Sequence, residues 1–455
     1  MSPLTFTARA QDLRIRADVG FAAGARDVSG FLTRSRYEAK SVASIAQSVQ
    51  YGLSLSAHTE PEGYPILRMN NLQDDGWDLR DLKYVKLNPT ELNTYALRKG
   101  DILINRTNGS RELVGKCEVF REDGDWVFAS YLIRLRVDPD MAHPEYVAAF
   151  LNSAAGRAQV LRASRQILMS NINSTEIKDL QIPLPPLERQ RQLAARMEVA
   201  REARGSRRAE ASALAAEVEP TLQEQLSIRV PGVSTNVGWT ARLAEISQTK
   251  RLDPGAFHPE RVAAIEALRA SGHRILELGD LATPVRTLTS VPPATLGMAD
   301  VESGTGALIG APSQQVATGV EFNPGDVLFA KLRPRLNKVY FASHDGYCSP
   351  EFIVLRPNTS VVLGEYLAHV LRFSTTVIQA VHLATGNTLP RVSADDAMHL
   401  LVPVPSLDEQ AAVVELANHL SEAAQAAKRE GDRMWAESKA MLLEELFDQD
   451  GVDRE

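Results

Sequence analysis

The chain has few cysteines, and neither of them has the neighbours that a metal site or a disulfide framework requires. Cys117 and Cys348 are the only two, and no second Cys or His stands near either at a metal-ligand spacing. The sequence also has no apolar run near 18 residues and no signal-peptide pattern at its start. These absences predict no membrane association and a cytoplasmic location.

Motifs for catalysis are missing as well. Residues 109–116 read GSRELVGK, with five residues between the glycines and a cysteine after the lysine. A phosphate-binding loop needs four residues there and a Ser or Thr after the lysine. There is no HExxH, no GxSxG, no helix-opening GxGxxG and no Asn/Asp-Pro-Pro-aromatic run of the amino-methyltransferase kind. Because the nine histidines are scattered, we predict a binding or scaffold protein and not an enzyme.

Length and charge set broad limits. A chain of 455 residues exceeds what one hydrophobic core supports, so two to four structural units are expected. The formal net charge of −7 does not indicate nucleic-acid binding. Net charge is a weak guide, however, because acidic helices can offset basic faces elsewhere on the molecule.

Two proline runs organise the chain, IPLPP at residues 182–186 and VPVPS at residues 402–406. Proline lacks the N–H that a strand ladder needs but suits the first turn of a helix, so each run predicts an extended segment that ends where a helix begins. Ser406 and Glu409 form a capping-box pattern at the second start. The helices are predicted to reach about Ser227 and Phe447, which makes each roughly 60 Å long.

Both predicted helices carry a seam, defined as apolar or small residues at alternating steps of four and three, the heptad spacing of a coiled coil. The first seam contains Leu193, Met197, Ala200, Arg204, Arg207, Ala211, Leu214, Val218 and Thr221. The second contains Ala417, Leu420, Ala424, Ala427, Gly431, Met434, Ser438 and Met441. The shared phase predicts that the two helices pack on each other, and two independent amphipathic helices are the alternative.

An internal repeat precedes these helices. The matching segments are RADVGF at 16–21 and RLDPGAF at 251–257, VASIA at 42–46 and LGDLA at 278–282, GDILI at 100–104 and GDVLF at 325–329, YLIRLR at 131–136 and EFIVLR at 351–356, and YVAAFL at 146–151 and YLAHVL at 366–371. Self-similarity of this kind indicates one structural unit used twice.

The repeated unit reads as a mixed α/β fold followed by a long helix. Strands are predicted at residues 102–105, 118–120, 126–128 and 132–137, and Asp123-Gly124 is typical of a hairpin turn. We therefore predict two duplicated α+β domains with largely antiparallel sheets. Their predicted limits are residues 1–185 for the first domain, 186–229 for its long helix, 230–405 for a linker (230–238) and the second domain, and 406–448 for the second long helix, before a frayed tail.

Basic and polar residues recur at equivalent places in both halves. After the Gly-Asp turn they are Arg106, Asn108, Arg111 and Lys116 in the first half and Lys331, Arg333, Arg335 and Lys338 in the second; before the proline run they are Arg165, Asn171 and Asn173, and Asn387 and Arg391. A third cluster, Tyr51, Arg68, Asn70 and Asn71, occurs only in the first half. Guanidinium and amide groups supply the hydrogen bonds that phosphates and base edges require. A solvated surface loop is the alternative for each cluster, but their recurrence favours DNA binding.

At these residues the sequence resembles the specificity subunit of a type I restriction–modification system. The resemblance covers nearly the whole chain and rests on GDILINRTNG…LVGK, SYLIRLR, SNIN before IPLPPLERQ, and the second-half segments GDVLFAKLRP, SPEFIVLRP and VPVPSLDEQ. The PLPPLERQ segment before a long helix is the most specific of them.

The resemblance implies the partners and the arrangement. Each domain would be a target-recognition domain that reads one half of a split, asymmetric site in double-stranded DNA, and the long helices would form an antiparallel coiled coil. Two methyltransferase subunits would dock on the helical regions, to which Leu193, Met197, Leu214, Leu420, Met434 and Met441 belong. A restriction/translocase subunit would add cleavage to adenine methylation. S-adenosylmethionine, ATP and magnesium are expected only on partner subunits, so this chain is expected to hold no cofactor and no metal.

Two other functions stay open at this point. The chain could be a DNA-binding recognition protein of another phage-defence system without a type I methyltransferase partner. It could also be a stand-alone enzyme, which the missing catalytic motifs disfavour.

Overall fold

The computed structural model describes residues 34–73, 76–108, 113–163, 165–166, 170–229, 254–312 and 314–447. Four predicted features lie outside these residues: the repeat segment at 16–21, Arg111, the linker at 230–238 with the residues that follow it to 253, and the tail after Phe447. The chain divides into two compact units, unit 1 from Met1–Ala209 and Ala427–Glu455, and unit 2 from Glu210–Ala426. No helix within the described ranges has both the length and the apolar character needed to cross a bilayer.

Unit 1 is a mixed α/β fold. Its strands are β1 (Ala39–Ser41), β2 (Ala46–Tyr51), β3 (Tyr64–Leu67), β4 (Leu72–Gln73), β5 (Gly76–Trp77), β6 (Lys83–Val85), β7 (Ile102–Asn105), β8 (Thr107–Asn108), β9 (Cys117–Val119), β10 (Val127–Phe128), β11 (Leu132–Val137), β12 (Arg165–Gln166), β13 (Ser170–Asn171) and β14 (Gln181–Pro183). Its shorter helices are α1 (Val42–Ile45), α2 (Pro89–Tyr95), α3 (Pro144–Asn152), α4 (Ala154–Ala163) and α5 (Ser174–Asp179). The first long helix, α6, spans Leu187–Gln225.

The central sheet of unit 1 has the order β2-β11-β7-β9, and all its pairs are antiparallel. A second sheet has the order β10-β3-β6, in which β10 and β3 are parallel. The predicted antiparallel character is thus confirmed for the central sheet. The strands predicted at 102–105 and 132–137 are confirmed. The strand predicted at 118–120 lies one residue earlier, at Cys117–Val119, and the strand predicted at 126–128 begins one residue later, at Val127.

Unit 2 repeats this plan. Its strands are β15 (Arg274–Glu277), β16 (Ala282–Val285), β17 (Leu288–Ser290), β18 (Thr318–Phe322), β19 (Val327–Ala330), β20 (Val339–Phe341), β21 (Gly346–Cys348), β22 (Phe352–Pro357) and β23 (Leu401–Val404). Its helices are α7 (Pro259–Ala270), α8 (Leu278–Leu281), α9 (Gly364–Arg372), α10 (Ser374–Leu383) and α11 (Ala394–Met398), before the second long helix, α12 (Leu407–Leu446). The sheet order β16-β22-β19-β20 matches β2-β11-β7-β9, and its pairs are also antiparallel.

The repeated Gly-Asp turn has a structural role in both units. Asp101 is buried and accepts from Arg136 Nε at 2.6 Å and Nη2 at 2.7 Å, and from the N–H of Arg98 at 2.8 Å. Asp326 is also buried and accepts from Arg356 at 2.9 and 2.8 Å. A buried carboxylate must be paired and hydrogen-bonded. The GD and LR segments of the repeat are therefore explained by this pairing of β7 with β11 and of β19 with β22.

A buried glutamine holds the start of each long helix. Gln190 Oε1 accepts from the N–H of His143 at 2.8 Å, and its Nε2 donates to the carbonyl of Pro185 at 2.9 Å. Gln410 makes the same bonds to the N–H of Leu363 and the carbonyl of Pro405, at 2.8 and 3.0 Å. A proline run leaves carbonyls without ladder donors, and the glutamine amide supplies one. This explains the Gln that ends LERQ and LDEQ.

The predicted capping box of α12 is confirmed. The N–H of Ser406 donates to Glu409 Oε2 at 2.9 Å, and the N–H of Glu409 donates to Ser406 Oγ at 3.3 Å. The hydrogen bonds from Ser406 lower the pKa of Glu409. Negative charge here also suits the partial positive charge of the helix N-terminus.

The two long helices pack together, as the seam predicted. Within unit 1 their numbering runs in opposite directions, because Arg189 pairs with Glu445 while Arg204 Nε donates to Asp432 Oδ1 at 2.9 Å. Gly431 allows this approach, since an added Cβ would lie 2.9 Å from Arg207 Cβ. Within unit 2 the end of α6 and the start of α12 share a core that contains Leu222, Leu226, Val413 and Ala417. The helices therefore form the antiparallel pair that the resemblance implied.

The seam prediction is wrong at the end of α12. Met441 is 65% exposed, whereas Leu442 and Leu446 are buried in the core of unit 1 with Leu193 and Met197. A straight helix with 3.6 residues per turn drifts by about 20° per heptad from a 3.5-residue repeat. Over several heptads the drift replaces Met441 by its neighbour on the buried face.

Candidate nucleic-acid interface

Three of the polar segments of unit 1 meet where the central sheet ends. The N–H of Arg106 donates to the carbonyl of Tyr131 at 3.0 Å, and the N–H of Ile172 donates to the carbonyl of Arg106 at 2.9 Å. Directly after Arg106, β8 pairs with β13, and β13 pairs with β12 in a small antiparallel sheet. The loop after β7 and the segment before the proline run, distant in sequence, are therefore neighbours in the fold.

Side chains also converge on Arg106. Its guanidinium lies 4.9 Å from the ring centre of Tyr51, and its Nε donates to Asn171 Oδ1 at 3.4 Å. The Tyr51 hydroxyl accepts from the N–H of Ser174 at 2.9 Å, which orients the ring. Arg106, Tyr51 and Asn171 are named the unit 1 recognition cluster below. Arg106 Nη1 also donates to the carbonyl of Ser130 at 3.4 Å, so the remaining N–H groups of the guanidinium are those that can address a phosphate or a guanine edge.

The equivalent place in unit 2 has the same main-chain bonds. The N–H of Lys331 donates to the carbonyl of Glu351 at 2.8 Å, and the N–H of Val392 donates to the carbonyl of Lys331 at 3.1 Å. Lys331 therefore stands where Arg106 stands, and Glu351 stands where Tyr131 stands. Arg391 occupies the place of Asn171, since Leu332 and Arg391 form an antiparallel bridge.

An ion pair dominates this second place. Arg391 Nε and Nη2 donate to the two carboxylate oxygens of Glu351 at 3.1 and 3.0 Å. The Arg391 hydrogen bond and the charges of Arg391 and Lys331 lower the pKa of Glu351. Lys331, Glu351 and Arg391 are named the unit 2 recognition cluster below. Its charge is +1 at neutral pH, from two cations and one anion.

Arg333 is hydrogen-bonded to the loop that contains Thr388 and Pro390. Its backbone is left-handed, with φ of 48°, and its N–H donates to the carbonyl of Pro390 at 2.7 Å. Its Nη2 donates to the carbonyl of Thr388 at 3.3 Å. Few residues other than glycine adopt this conformation, and such residues concentrate at functional sites. Arg335 and Asn387 are exposed, the latter in the loop that Arg333 holds.

Two predicted contact residues, Lys338 and Asn173, have structural bonds, and a third, Lys116, lines a cavity. Lys338 Nζ donates to the carbonyls of Met298 and Val301, both at 2.7 Å. Asn173 caps α5, since its Oδ1 accepts from the N–H of Glu176 at 2.9 Å. Lys116 lines a cavity of about 670 Å³ with Arg121 and other residues of unit 1, among which Arg106 does not occur. Sequence proximity grouped these three with the clusters, but Lys338 and Asn173 bond to other parts of the fold and Lys116 lines a cavity whose lining does not include Arg106.

Some of the remaining predicted residues also have structural partners, and one contacts Arg106. Arg68 pairs with Asp81 at 3.1 Å, and Asn71 is buried with its Nδ2 donating to the carbonyl of Asp78 at 2.9 Å. Of the third cluster, Tyr51 alone joins Arg106 through a recorded contact among the described residues. Asn108 is half-buried in β8. The side chain of Arg165 lies outside the described part of the chain, although its backbone pairs with Asn171.

Two residues near the clusters escaped the sequence analysis. Tyr131 is 51% exposed beside Arg106, and an aromatic side chain on the surface is a stacking platform for bases. Arg286 is the second residue, and it stands in unit 2 where Tyr51 stands in unit 1. Tyr51 pairs with Ile133 of β11, and the register of Val285 with Val354 places Arg286 opposite Ile353, the residue of β22 that matches Ile133. The signal for Tyr131 was its position directly before the predicted strand, and the signal for Arg286 was the repeat itself.

The helix residues predicted for partner docking are mostly internal. Leu193 and Met197 are buried in the core of unit 1, so a partner cannot contact them while the unit is folded. Leu214, Leu420 and Met434 are half-buried. Met441 is exposed, and so is Val199, at 67%. An exposed apolar side chain on a helix is available to a partner, whereas a buried one only supports the shape of the helix pair.

Both cysteines are buried and reduced. Burial raises the pKa of the Cys348 thiol to about 12 and that of Cys117 still further. A thiol must ionise to act as a nucleophile, so neither is suited to covalent catalysis.

Residues 36–202 match the family described as type I restriction modification DNA specificity domain. The chain is 30% identical over 158 residues to the type I restriction enzyme EcoKI specificity subunit of Escherichia coli K12, which covers 34% of this chain and 34% of that protein. It is 33% identical over 135 residues to the StySPI specificity subunit of Salmonella potsdam, covering 29% of each.

These alignments span about a third of the length of the curated relatives that the chain matches. Among solved structures, a chain from work on "complex assembly and conformational transition of the type I R-M system" is 17% identical. Its TM-score is 0.45, and the match covers 90% of this chain and 95% of that chain.

Proposed function

We propose that the chain, whose residues 36–202 match the family of type I restriction modification DNA specificity domains, is the DNA specificity subunit of a type I restriction–modification complex. In this role it reads a bipartite, asymmetric site in double-stranded DNA and brings methyltransferase subunits to that site. The supporting observation is the unit 1 recognition cluster, in which three distant segments present a guanidinium, an aromatic ring and an amide together.

The chemistry of this cluster suits base reading. Arginine addresses guanine O6 and N7 with two parallel hydrogen bonds, and asparagine can address adenine N6 and N7. The ring of Tyr51 and the amide of Asn171 restrain Arg106 before DNA arrives, which reduces the entropy lost on binding. Arg106, Asn171 and Tyr131 are therefore the proposed contacts of unit 1.

Unit 2 offers different contacts on the same framework. Lys331, Arg333, Arg335, Asn387 and Arg391 are the proposed set, and both carboxylate oxygens of Glu351 are held by Arg391. Because the two clusters differ in every side chain, one chain would read two unlike half-sites. The resulting target would be asymmetric.

Partner subunits would supply the catalysis. We place S-adenosylmethionine, ATP and magnesium on methyltransferase and restriction subunits, and the docking surface for two methyltransferase copies on the long helices, where Val199 and Met441 are exposed. The alternative is a recognition protein of another phage-defence system without such a partner. Co-purification with an adenine methyltransferase encoded nearby separates the two, since the alternative predicts none.

DNA binding by the assembled complex tests the proposal. Methylome sequencing of the host would supply the site, and a mobility-shift titration at one salt concentration would then compare variants. Arg106→Ala should weaken binding about 10- to 100-fold, as expected for the loss of one bidentate base contact. Arg80→Ala is the control, because Arg80 is a 91% exposed arginine of unit 1 that pairs with Asp78. Equal affinity of the Arg106→Ala complex and the unsubstituted complex would contradict the assignment.

A further inference from the structure

Two histidines and a glutamate of unit 2 form a compact group outside the recognition clusters. His258 and His382 stack with their ring centres 3.7 Å apart and their planes at 17°. Glu260 Oε2 lies 2.9 Å from His382 Nε2 and 3.9 Å from His258 Nδ1. One ligand atom from each residue lies within 4.8 Å of those of the other two.

The fold brings these residues together from two separate segments. His258 is the N-cap of α7, Pro259 starts that helix, and the N–H of Glu260 donates to His258 Nδ1 at 3.3 Å. His382 lies in the last turn of α10, which packs against α7. A helix start pre-set by proline and a packed helix end hold the three side chains in place.

The spacing fits a small divalent transition metal. With nitrogen and oxygen ligands at about 2.0–2.1 Å in a tetrahedron, two ligand atoms lie about 3.3–3.4 Å apart. The separations of 2.9 and 3.9 Å from Glu260 to the two rings bracket that value. Coordination of one ion by both imidazoles would turn the stacked rings until a nitrogen lone pair of each points at the ion. Two histidines and one carboxylate are a ligand set that zinc adopts, with a fourth position left for water.

Exposure and charge also suit a metal. The side chains of His258, Glu260 and His382 are 24%, 30% and 17% exposed, so an ion can enter while the group stays ordered. A neutral imidazole is the form that ligates metals. Coordination of a metal by His258 Nδ1 would replace the 3.3 Å hydrogen bond that this atom accepts from the N–H of Glu260.

We propose that His258, Glu260 and His382 form a Zn²⁺-type metal site that joins the start of α7 to the end of α10. The ion would stabilise unit 2 and would have no part in reading DNA. This differs from the expectation of no metal drawn from the cysteines, because the ligands here are histidines that lie more than 100 positions apart in sequence. The competing explanation is a plain ion pair between Glu260 and His382 with a stacked second ring.

The first half of the repeat lacks the ligands. The shared Phe of RADVGF and RLDPGAF aligns Ala22 with His258 and Gly24 with Glu260. The offset of 220 positions between the halves aligns Arg162 with His382. The proposed site is therefore specific to unit 2 in sequence.

Calorimetric titration of the full chain with zinc chloride is the test, after removal of any affinity tag and of metal by a chelator. We expect one equivalent to bind in the micromolar range or more tightly. His382→Gln and His258→Gln should each weaken zinc binding by more than about 100-fold. Loss of a residue that only orients a ligand costs roughly 10- to 100-fold, and loss of a ligand should cost more. At a hundredfold excess over the dissociation constant, zinc should raise the melting temperature of unit 2 by about 5–10 °C.

His399→Gln is the matched control. His399 Nδ1 lies 2.8 Å from Glu277 Oε2, which gives unit 2 a second, exposed His–Glu pair without another ring. This variant should bind zinc as the unsubstituted chain does. Binding that survives both His258→Gln and His382→Gln, or the absence of saturable binding, would overturn the proposal in favour of the plain ion pair.

X-ray absorption on the zinc-loaded, unsubstituted chain gives an answer even if a variant fails to fold. We expect two imidazole nitrogens and oxygen ligands at about 2.0–2.1 Å. A shell of oxygen atoms alone would show that zinc binds elsewhere, and the site would be rejected.

Discussion

In unit 1 the residue after the β7 strand is Arg106, which lies over the ring of Tyr51, whereas in unit 2 the residue after the matching β19 strand is Lys331, beside the Glu351–Arg391 ion pair. The main-chain bonds at the two places are the same. The backbone of the repeat is thus preserved where the side chains differ. A repeated recognition unit can change what it reads by substitutions at a few such positions without a change of fold.

The largest expected effect concerns the shared framework. Asp101→Ala should destabilise the β7–β11 region by about 3–5 kcal/mol, because it leaves the largely buried Arg136 without its partner. Asp326→Ala should cost less, about 1–3 kcal/mol, because the Arg356 side chain is 50% exposed and water can replace the carboxylate. Hydrogen–deuterium exchange of peptides from each strand pair measures the two effects separately.

Asp81→Ala is the control for this comparison, since Asp81 pairs with Arg68 but is 79% exposed. It should change exchange little, as surface ion pairs contribute roughly 0–1 kcal/mol. If Asp326→Ala proved as costly as Asp101→Ala, the exposure of the arginine would not be the reason for the difference.

Two substitutions test whether the residues at the equivalent positions 131 and 351 set the DNA affinity of each cluster. Glu351→Gln should tighten DNA binding by the assembled complex about threefold to tenfold at low salt, because one surface charge contributes about 1 kcal/mol. Tyr131→Glu should weaken it by at least that factor, since it adds an anion beside Arg106 and removes an exposed ring. The measurement is a salt-controlled mobility-shift titration.

Glu277→Gln serves as the neutralisation control, because Glu277 belongs to unit 2 but pairs with His399. A gain in affinity from Glu277→Gln equal to that from Glu351→Gln would indicate a general charge effect. A specific role of Glu351 in the unit 2 recognition cluster would then be rejected.

The smallest expected effect is the pH dependence of the unit 2 ion pair. The pKa of Glu351 is lowered in the folded chain from an ordinary value of 4.5, chiefly by the Arg391 hydrogen bond. The pair therefore favours folding at pH above 4.5, and this contribution disappears as the pH falls through the lower, folded-state pKa. Both side chains are partly exposed, so the contribution should stay below about 1 kcal/mol.

Comparison of melting temperatures for the unsubstituted chain and Glu351→Gln at neutral and at acidic pH measures this contribution. The difference between them should be small at neutral pH and absent at acidic pH. A difference that grows as the pH falls would have the wrong sign for a carboxylate of lowered pKa.

Much of the fold was predictable because its signals are local. The proline runs, the Ser406–Glu409 capping box and the strands at Ile102–Asn105 and Leu132–Val137 depend on residues a few positions apart. The parallel pairing of β3 with β10 was not predictable in this way, since nothing within either short strand names its partner. Met441 shows the limit of periodicity, because a small angular drift accumulates along a helix of 40 residues.

The candidate site was predictable only in part. Residue type placed Arg106 and Asn171 among the DNA-binding candidates, but 65 positions separate them and only the pairing of β8 with β13 brings them together. Lys338 had the right chemistry and the right neighbours in sequence, yet its ammonium group binds main-chain carbonyls. Whether a cation faces solvent depends on the path of the backbone around it.

Repetition, helix starts and the packing of two long helices with a shared period could thus be read from the order of residues, because each depends on spacing along the chain. The antiparallel direction of the helices was implied by the family resemblance. The partners of charged and aromatic side chains could not. Glu351 with Arg391, Tyr51 with Arg106, and Glu260 with His382 are pairs separated by 40, 55 and 122 positions, and they meet because separate strands and helices pack together. Coulomb and hydrogen-bond energies depend on distance in space, which folding sets and sequence separation does not.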